Sequence, residues 1–465
     1  MFGLTRRELA GLVALFLVTL PAVTPRLYSS DEVQYFSYLR SLWFDRDVSF
    51  DNEYRYFYDR GVARTQGFED TFLQLTTPTG RRVNFGTLGC AILWTPFYAV
   101  ADTWVRMAQG RSPDLEADGF SAPYLAAVAY GSAFYGFIAV LFSIGAARRL
   151  TGYGVGPALV IWAGTPLLFY MYVAPGYSHA CSAFAVALFV SVWLRVRPTW
   201  TVGGIAALAA AAGLMTMVRE QDAFVALGPA LDYLLPGRNP DVRGPSLAGC
   251  VRALGIAAVT FGLCVLPQLV AYKALNGHFG PSGLVSRKMS WTAPHALEVL
   301  FSPEHGFFFW TPVAVVGIAG LFLLALRGVP YHIDARRIGA CALLMLATQI
   351  YVSGSVESWT VAGAFGQRRF VALTIFLTMG IATIWSRAHW RASRTRYAVG
   401  ACVAVAIWWN VALMALFGSG LMDRQRLEPR RNAYDVFVTL PKMAPQLAYR
   451  YFTNRRSFYK APEIR

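Results

Sequence analysis

The chain has 465 residues, of which 55% are hydrophobic and 15% charged, with a mean hydropathy of +0.41. Its apolar residues fall in long blocks, which excludes a soluble multi-core protein and predicts an all-α polytopic membrane protein. The net charge of +16 sits as arginines in short segments between those blocks, so it is read as topogenic, and no nucleic-acid partner is expected.

A spanning helix needs about 20 mostly apolar residues. The first block, 9–27, follows Arg6 and Arg7. No small-x-small cleavage site follows it, so residues 1–27 are read as a retained first transmembrane helix rather than a signal peptide. Residues 28–120 then form a long outer loop. Ser29 and Glu32 make an S-x-x-E capping box there. Tyr35, Phe36, Leu39, Leu42 and Trp43 recur at helical spacing, with Gln34, Ser37 and Ser41 on the opposite side. The pattern predicts an amphipathic helix from about Ser30, lying flat at the membrane edge with Asp31 and Glu32 in its first turn. Such first-turn acids complement the helix dipole whether or not they do chemistry. Asp45-Arg46-Asp47 is a D-x-D, a weak metal signal when it stands alone.

The stretch "FGTLGCAILWTPFYAVADTWV" (85–105), interrupted by Pro96 and Asp102, decides the topology. Counted as a span, it puts Arg148–Arg149, Arg195–Arg197, Arg238–Arg243, Arg336–Arg337 and the group Arg391, Arg394 and Arg396 outside. Counted as a second interfacial helix, it leaves them all inside, as the positive-inside rule requires. This predicts about eleven spans in total. The bundle, 121–418, has blocks at 121–147, 155–174, 179–194, 202–218, 222–235, 253–272, 307–326, 338–353, 370–386 and 397–418, and 419–465 is an outer tail. The six cysteines are scattered without CxxC spacing, so neither a disulfide framework nor a zinc site is expected.

Among the loop charges, Arg368 and Arg369 stand at the outer mouth of a span, where positive charge is normally scarce. Snorkelling anchors are the bland alternative. Arg219-Glu220-Gln221-Asp222 reads first as a local ion pair, with Arg219 as a candidate substrate contact in second place. Arg287, Lys288, Glu304 and His305 belong to outer-loop segments and are candidate substrate contacts, as is Gln367. His179 reads first as a packing or capping histidine. No P-loop and no G-x-G-x-x-G between a strand and a helix is present.

A first span, then "DE" opening an outer helix, then an aromatic-rich loop resembles the C-type membrane glycosyltransferase (GT-C) fold. The likeness is to the branch with protein O-mannosyltransferases and the lipid A aminoarabinose transferase. "RRVNFGTLGCAILWTPF" (81–97) is similar to that branch's interfacial segment following a basic residue. "LFSPEHGFFFWTP" (300–312) and "WTVAGAFGQRRF" (359–370) resemble outer-loop signatures of bacterial family-39-like members. Where the aminoarabinose transferase carries Lys-Pro-Pro, this chain has Arg81-Arg82-Val83-Asn84. The resemblance implies an inverting glycosyltransferase of the bacterial inner membrane with its active site facing the periplasm. Its partners would be a polyprenyl-phosphate-linked sugar donor, membrane lipid, and a glycan, lipid or protein acceptor.

That chemistry needs a base for the acceptor hydroxyl, for which Asp31, with Glu32 beside it, is the candidate. The leaving phosphate gains about one negative charge, so fixed cations are required. Arg368, Arg369, Arg81 and Arg82 are the candidate phosphate ligands, since a guanidinium fork grips phosphate oxygens in pairs. With arginines in that role, no metal and no cofactor are expected. The alternatives are a secondary transporter or flippase of lipid-linked glycans, and an O-antigen ligase or polymerase. A transporter calls for mid-span charges and broken repeats, and a ligase for a large late loop. Neither pattern is present.

Overall fold

A computed structural model describes residues 3–109, 115–235, 246–330, 332, 334–361, 363–388 and 392–459. Among these the fold is helical, with isolated bridges and no β-strand. The clusters at Arg238–Arg243 and Arg391 lie outside the described residues.

Helix α1 (Arg6–Thr19) opens on a Thr5–Glu8 capping box. α2 (Ser30–Arg40), α3 (Asp51–Asp59) and α4 (Gly89–Ala108) belong to the loop segment. The bundle follows: α5 (Ala122–Thr151), α6 (Val155–Gly164), α7 (Leu167–Tyr172), α8 (His179–Val196) and α9 (Val202–Val218). Then come α10 (Leu227–Leu234), α11 (Leu247–Asn276), α12 (Val313–Arg327), α13 (Ala335–Ser355), α14 (Thr374–Trp385) and α15 (Ser393–Ser419). In the tail, α16 (Leu440–Thr453) is amphipathic.

Among the described residues, six helices are long and apolar enough to cross a membrane: α5, α8, α11, α13, α15, and α14 together with the 3-10 turn Arg368–Leu373 before it. Three shorter apolar helices, α6, α9 and α12, accompany them. Two expected blocks are divided for a backbone reason. Thr165 (φ −133°, ψ 165°) precedes Pro166 and ends α6, because the proline ring disfavours a helical residue before it. Thr311 (φ −135°, ψ 70°) precedes Pro312 and sets the start of α12 in the same way. The 222–235 block becomes a 3-10 turn (Glu220–Ala226) and the eight-residue α10, too short to span.

α8 and α14 are the interior helices, packed with α5, while α11 and α15 present residues such as Leu254, Leu263 and Val405 outward as a lipid-facing surface would. α12 crosses α14 at glycines: a Cβ built on Gly380 or Gly320 falls on the other helix's backbone, at Gly317 and Gly380 respectively. Close backbone approach at small residues is how helices associate in lipid, where hydrophobic burial contributes little between them. Gly380→Leu is therefore expected to lower the thermal midpoint of the detergent-purified protein by more than ordinary overpacking, which costs about 1–3 kcal/mol, because the obstacle is backbone. A scanning-fluorimetry midpoint within a degree of the parent would contradict this crossing.

The loop segment differs from a flat interfacial sheet of helices. Gln34, Ser37 and Ser41, expected on the polar outer side of α2, are buried. Gln34 Oε1 accepts from the Phe85 amide (2.8 Å), Ser37 donates to the Val33 carbonyl (2.7 Å), and Ser41 donates to Asp47 Oδ1 (2.7 Å). Aromatic residues of the loop segment pack on one another: Phe57 meets Phe36 and Phe120 edge to face, and Tyr54 meets Phe68 and Phe72 in the same way. α4 pairs antiparallel with the first half of α5. Trp94 donates to Ser132 (2.8 Å), and Tyr124 donates to Asp102 (2.6 Å). The D-x-D is spent locally: Asp45 takes Arg40 and Asn52 while Asp47 takes Ser41, and no metal-type cluster occurs among the described residues.

Candidate active site at the Asp31–Arg368 ion pair

α2 begins where the sequence pattern put it. Ser29 caps the helix and Glu32 closes the box, its Oε2 accepting the Tyr28 amide (2.6 Å) and the Ser29 amide (3.0 Å). These contacts turn Glu32 inward, where it is fully buried, and leave Asp31 pointing to open space with a side chain 37% exposed. One turn position separates the two acids, and the helix sends them to different environments.

Arg368 NH1 donates to Asp31 Oδ2 at 2.6 Å, across 337 residues of sequence. Arg368 enters from the 3-10 turn before α14, and its guanidinium stands over the Tyr177 ring at 5.3 Å. Arg369 next to it is held by Ser358, donating to the carbonyl (3.0 Å) and to Oγ (3.1 Å).

A cavity of about 570 Å³ opens beside the pair. Arg219, Lys288, Arg368 and Arg369 line it, with Asp31 and Glu220 as its carboxylates. A second cavity of about 370 Å³ lies on the other side, shares Ser30, Asp31, Tyr177 and Arg368 with the first, and is walled by Tyr170, Phe365, Phe417 and Tyr459. The ion pair is the partition between the two.

The expected local ion pair at 219–222 does not form. Arg219 bonds His179 Nδ1 (3.0 Å) and Gln221 Oε1 (3.0 Å), Glu220 accepts from Tyr272 OH (2.6 Å), and Asp222 accepts from Ser182 Oγ (2.5 Å). Each acid takes a neutral hydroxyl rather than the arginine, with Asp222 Oδ1 buried and unpartnered, and Arg219 lines the cavity. The bond from Arg219 makes Nδ1 of His179 the acceptor, so its Nε2 carries the proton. His179 lies in the cavity wall with that Nε2–H buried and unpartnered.

The other sequence candidates are placed elsewhere. Arg81 donates to the Ala274 carbonyl (2.8 Å), and Arg82 pairs with Asp51 (2.8 Å) and the Gln74 carbonyl. Both tie the loop segment down and neither lines either of these two cavities. Of Arg287 and Lys288, only the lysine faces the site. His305 is buried against Trp310 and donates to the Ala364 carbonyl (3.0 Å), and Gln367 donates to the carbonyls of Trp359 and His305. Glu304 holds the same corner through its carbonyl, which accepts from Trp310. These three shape the turn that presents Arg368. Tyr177, Trp291 and Tyr459 line the cavities and were not singled out in the sequence, because an aromatic residue in an aromatic-rich chain carries no signal by itself.

Burial pushes the Glu32 carboxyl up to about 8, opposed by its backbone donors. Its ordinary value, about 4.5, applies when unfolded, so the folded state binds the proton more tightly. The stability this contributes is complete below about pH 4.5 and is lost as pH rises through about 8. Glu32→Gln keeps the capping box. Melting midpoints from pH 5 to 9 are expected to fall more steeply for the parent than for Glu32→Gln, and parallel curves would refute this.

A polytopic helical membrane protein with two polar–aromatic cavities divided by an acid–arginine pair is the class that these features define. In its fold the chain is similar to ArnT from Cupriavidus metallidurans bound to undecaprenyl phosphate, with a TM-score of 0.54 and 14% identity, over 89% of this chain and 71% of that one. The apo structure of the same protein aligns with 96% of this chain and 72% of its own at a TM-score of 0.47 and 14% identity. The first of these shows that the chain has the GT-C fold. No protein-family model and no curated protein sequence matches the chain.

Proposed function

We propose that the protein transfers a sugar from a polyprenyl-phosphate donor to an acceptor hydroxyl with inversion, using Asp31 as general base. The observation that carries this reading is the Asp31–Arg368 contact at the junction of a cation-lined and an aromatic-lined cavity. The donor phosphate belongs in the first cavity, whose four cations exceed its two carboxylates by the charge of a phosphate monoester. Arg368 serves the leaving oxygen, with Arg369, Arg219 and Lys288 around it. The acceptor belongs in the second, where its hydroxyl meets Asp31 and the rings of Tyr170, Tyr177 and Phe365 offer flat faces to a sugar.

In the transfer, the acceptor oxygen attacks the anomeric carbon as its proton passes to Asp31 Oδ1 or Oδ2, and the bond to the phosphate oxygen breaks on the opposite face. The phosphate leaves with a second negative charge that fixed guanidiniums stabilise without reorganising. Charge compensation by four side chains makes a metal unnecessary for this step. Glu32 acts as the helix cap that aims Asp31.

A periplasmic site in a bacterial inner membrane is supported by the described arginine clusters: Arg148–Arg149 and Arg195–Arg197 close α5 and α8, and Arg336–Arg337 open α13, whose other end, like the start of α8, reaches the first cavity. Reconstituted protein given undecaprenyl-phosphate-linked sugars and a membrane extract as acceptor should release undecaprenyl phosphate. Protein that binds no such lipid, and releases none from any sugar donor, would overturn the assignment.

A further inference from the structure

α8 starts at the site, with His179 in the cavity wall, and ends 16 residues later near Arg195. At 1.5 Å per residue this is roughly 24 Å, close to the thickness of a bilayer's apolar core. At that far end lies a third cavity, of about 260 Å³, between the ends of α5 and α8. Arg148, Arg149, Ser191 and Arg195 line it with Phe142 and Leu194, and no Asp or Glu is among its lining residues.

Two of its polar groups are unspent. Ser143 and Thr151, also helical hydroxyls, return to the carbonyl four residues back (2.8 and 2.9 Å). Ser191 does not: its residue is 7% exposed, and its hydroxyl is buried without a partner. The Nε of Arg148 is likewise buried and unpartnered, although its terminal nitrogens hold Glu8 and the Gly3 carbonyl. A buried hydroxyl left without a partner is destabilising, so native structures normally satisfy such a group. A polar bilayer-edge cavity with guanidiniums and an idle donor suits an anion with several acceptor oxygens.

We propose that this cavity binds a phosphate group, that of an anionic phospholipid headgroup or a free phosphate, at the membrane face opposite the Asp31 site. The headgroup phosphate accepts from Ser191 and from Arg148 Nε, Arg149 and Arg195 neutralise it, and Phe142 and Leu194 meet the first carbons of the acyl region. Basic pockets between helices recognise anionic headgroups in this manner. The site is independent of the glycosyl-transfer reading and would survive its failure.

The test uses full-length protein in phosphatidylcholine nanodiscs titrated with phosphatidylglycerol, read as the shift in melting midpoint. The parent should show a saturable rise. Each arginine near an anionic surface is worth about fivefold, so R149Q/R195Q should need about thirtyfold more phosphatidylglycerol for half the shift. Ser191→Ala, which preserves charge, should need several-fold more and decides the matter if the double variant fails to fold. Inorganic phosphate alone is the second arm: a shift equal to the lipid's assigns the cavity to the free anion, and a smaller one assigns it to the headgroup. Equal response to phosphatidylglycerol and phosphatidylcholine with no response to phosphate, or an unchanged half-point in Ser191→Ala, overturns the proposal.

Discussion

Asp31→Asn should cut glycosyl transfer by about 10²–10⁴-fold, the range of a positioned general base, while donor lipid still binds. The amide preserves the side chain's shape and can still accept a hydrogen bond from Arg368, but it cannot take the acceptor's proton. The loss therefore falls on kcat, with the donor dissociation constant changed little. The control sits one residue away. Glu32→Gln leaves the cap intact and should retain transfer within a few-fold, because Glu32 faces the protein interior and not either cavity. Transfer near the parent level in Asp31→Asn would refute the base assignment. Equal collapse in both variants, with intact folding, would mean that the acids act as one unit. Helix capping alone accounts for at most about 2 kcal/mol of stability and would appear as a lowered melting midpoint, not as a selective loss of turnover.

Arg368→Lys is expected to reduce both donor binding and turnover, with kcat/KM down by about 10²–10³-fold, the usual effect of removing one donor aimed at developing charge. A guanidinium has five N–H donors, so Arg368 can hold Asp31 through NH1 and still offer others to a phosphate oxygen. A lysine ammonium reaches a single point and must choose between the two. Arg369→Lys should be milder in turnover, since two of its donors are engaged by Ser358, and should show mainly as weaker donor binding. Binding of fluorescent polyprenyl phosphate, followed by single-turnover transfer, separates the two effects. If Arg368→Lys bound donor and turned over as the parent does, the phosphate would have to be held by Arg219, Lys288 and Arg369 alone. Arg81→Lys and Arg82→Lys serve as a contrast, for both arginines are committed to the chain itself and lie away from the cavities.

The membrane class, the six described helices long enough to cross lipid, the α2 start with its capping box, and the candidacy of Asp31, Arg368 and Arg369 were legible in the sequence. Each depends on a local rule: about 20 apolar residues to cross lipid, an S-x-x-E cap, arginine where short loops lack it. The breaks at Pro166 and Pro312 were as local, yet apolar blocks hid them, because hydropathy is blind to backbone dihedrals. What no local rule could supply was partnership. Arg219 and Arg82 look alike as loop arginines, and only packing gave one to a cavity and the other to Asp51. Asp31 and Glu32 are adjacent first-turn acids; the local cap turns Glu32 back on the chain, and only packing against Leu27 and Gly176 makes that place the interior. Lipid enforces where a chain must be apolar, so spans can be read along it. The bundle decides which charges face each other, and a contact across 337 residues is set by the stacking of helices rather than by any stretch of sequence.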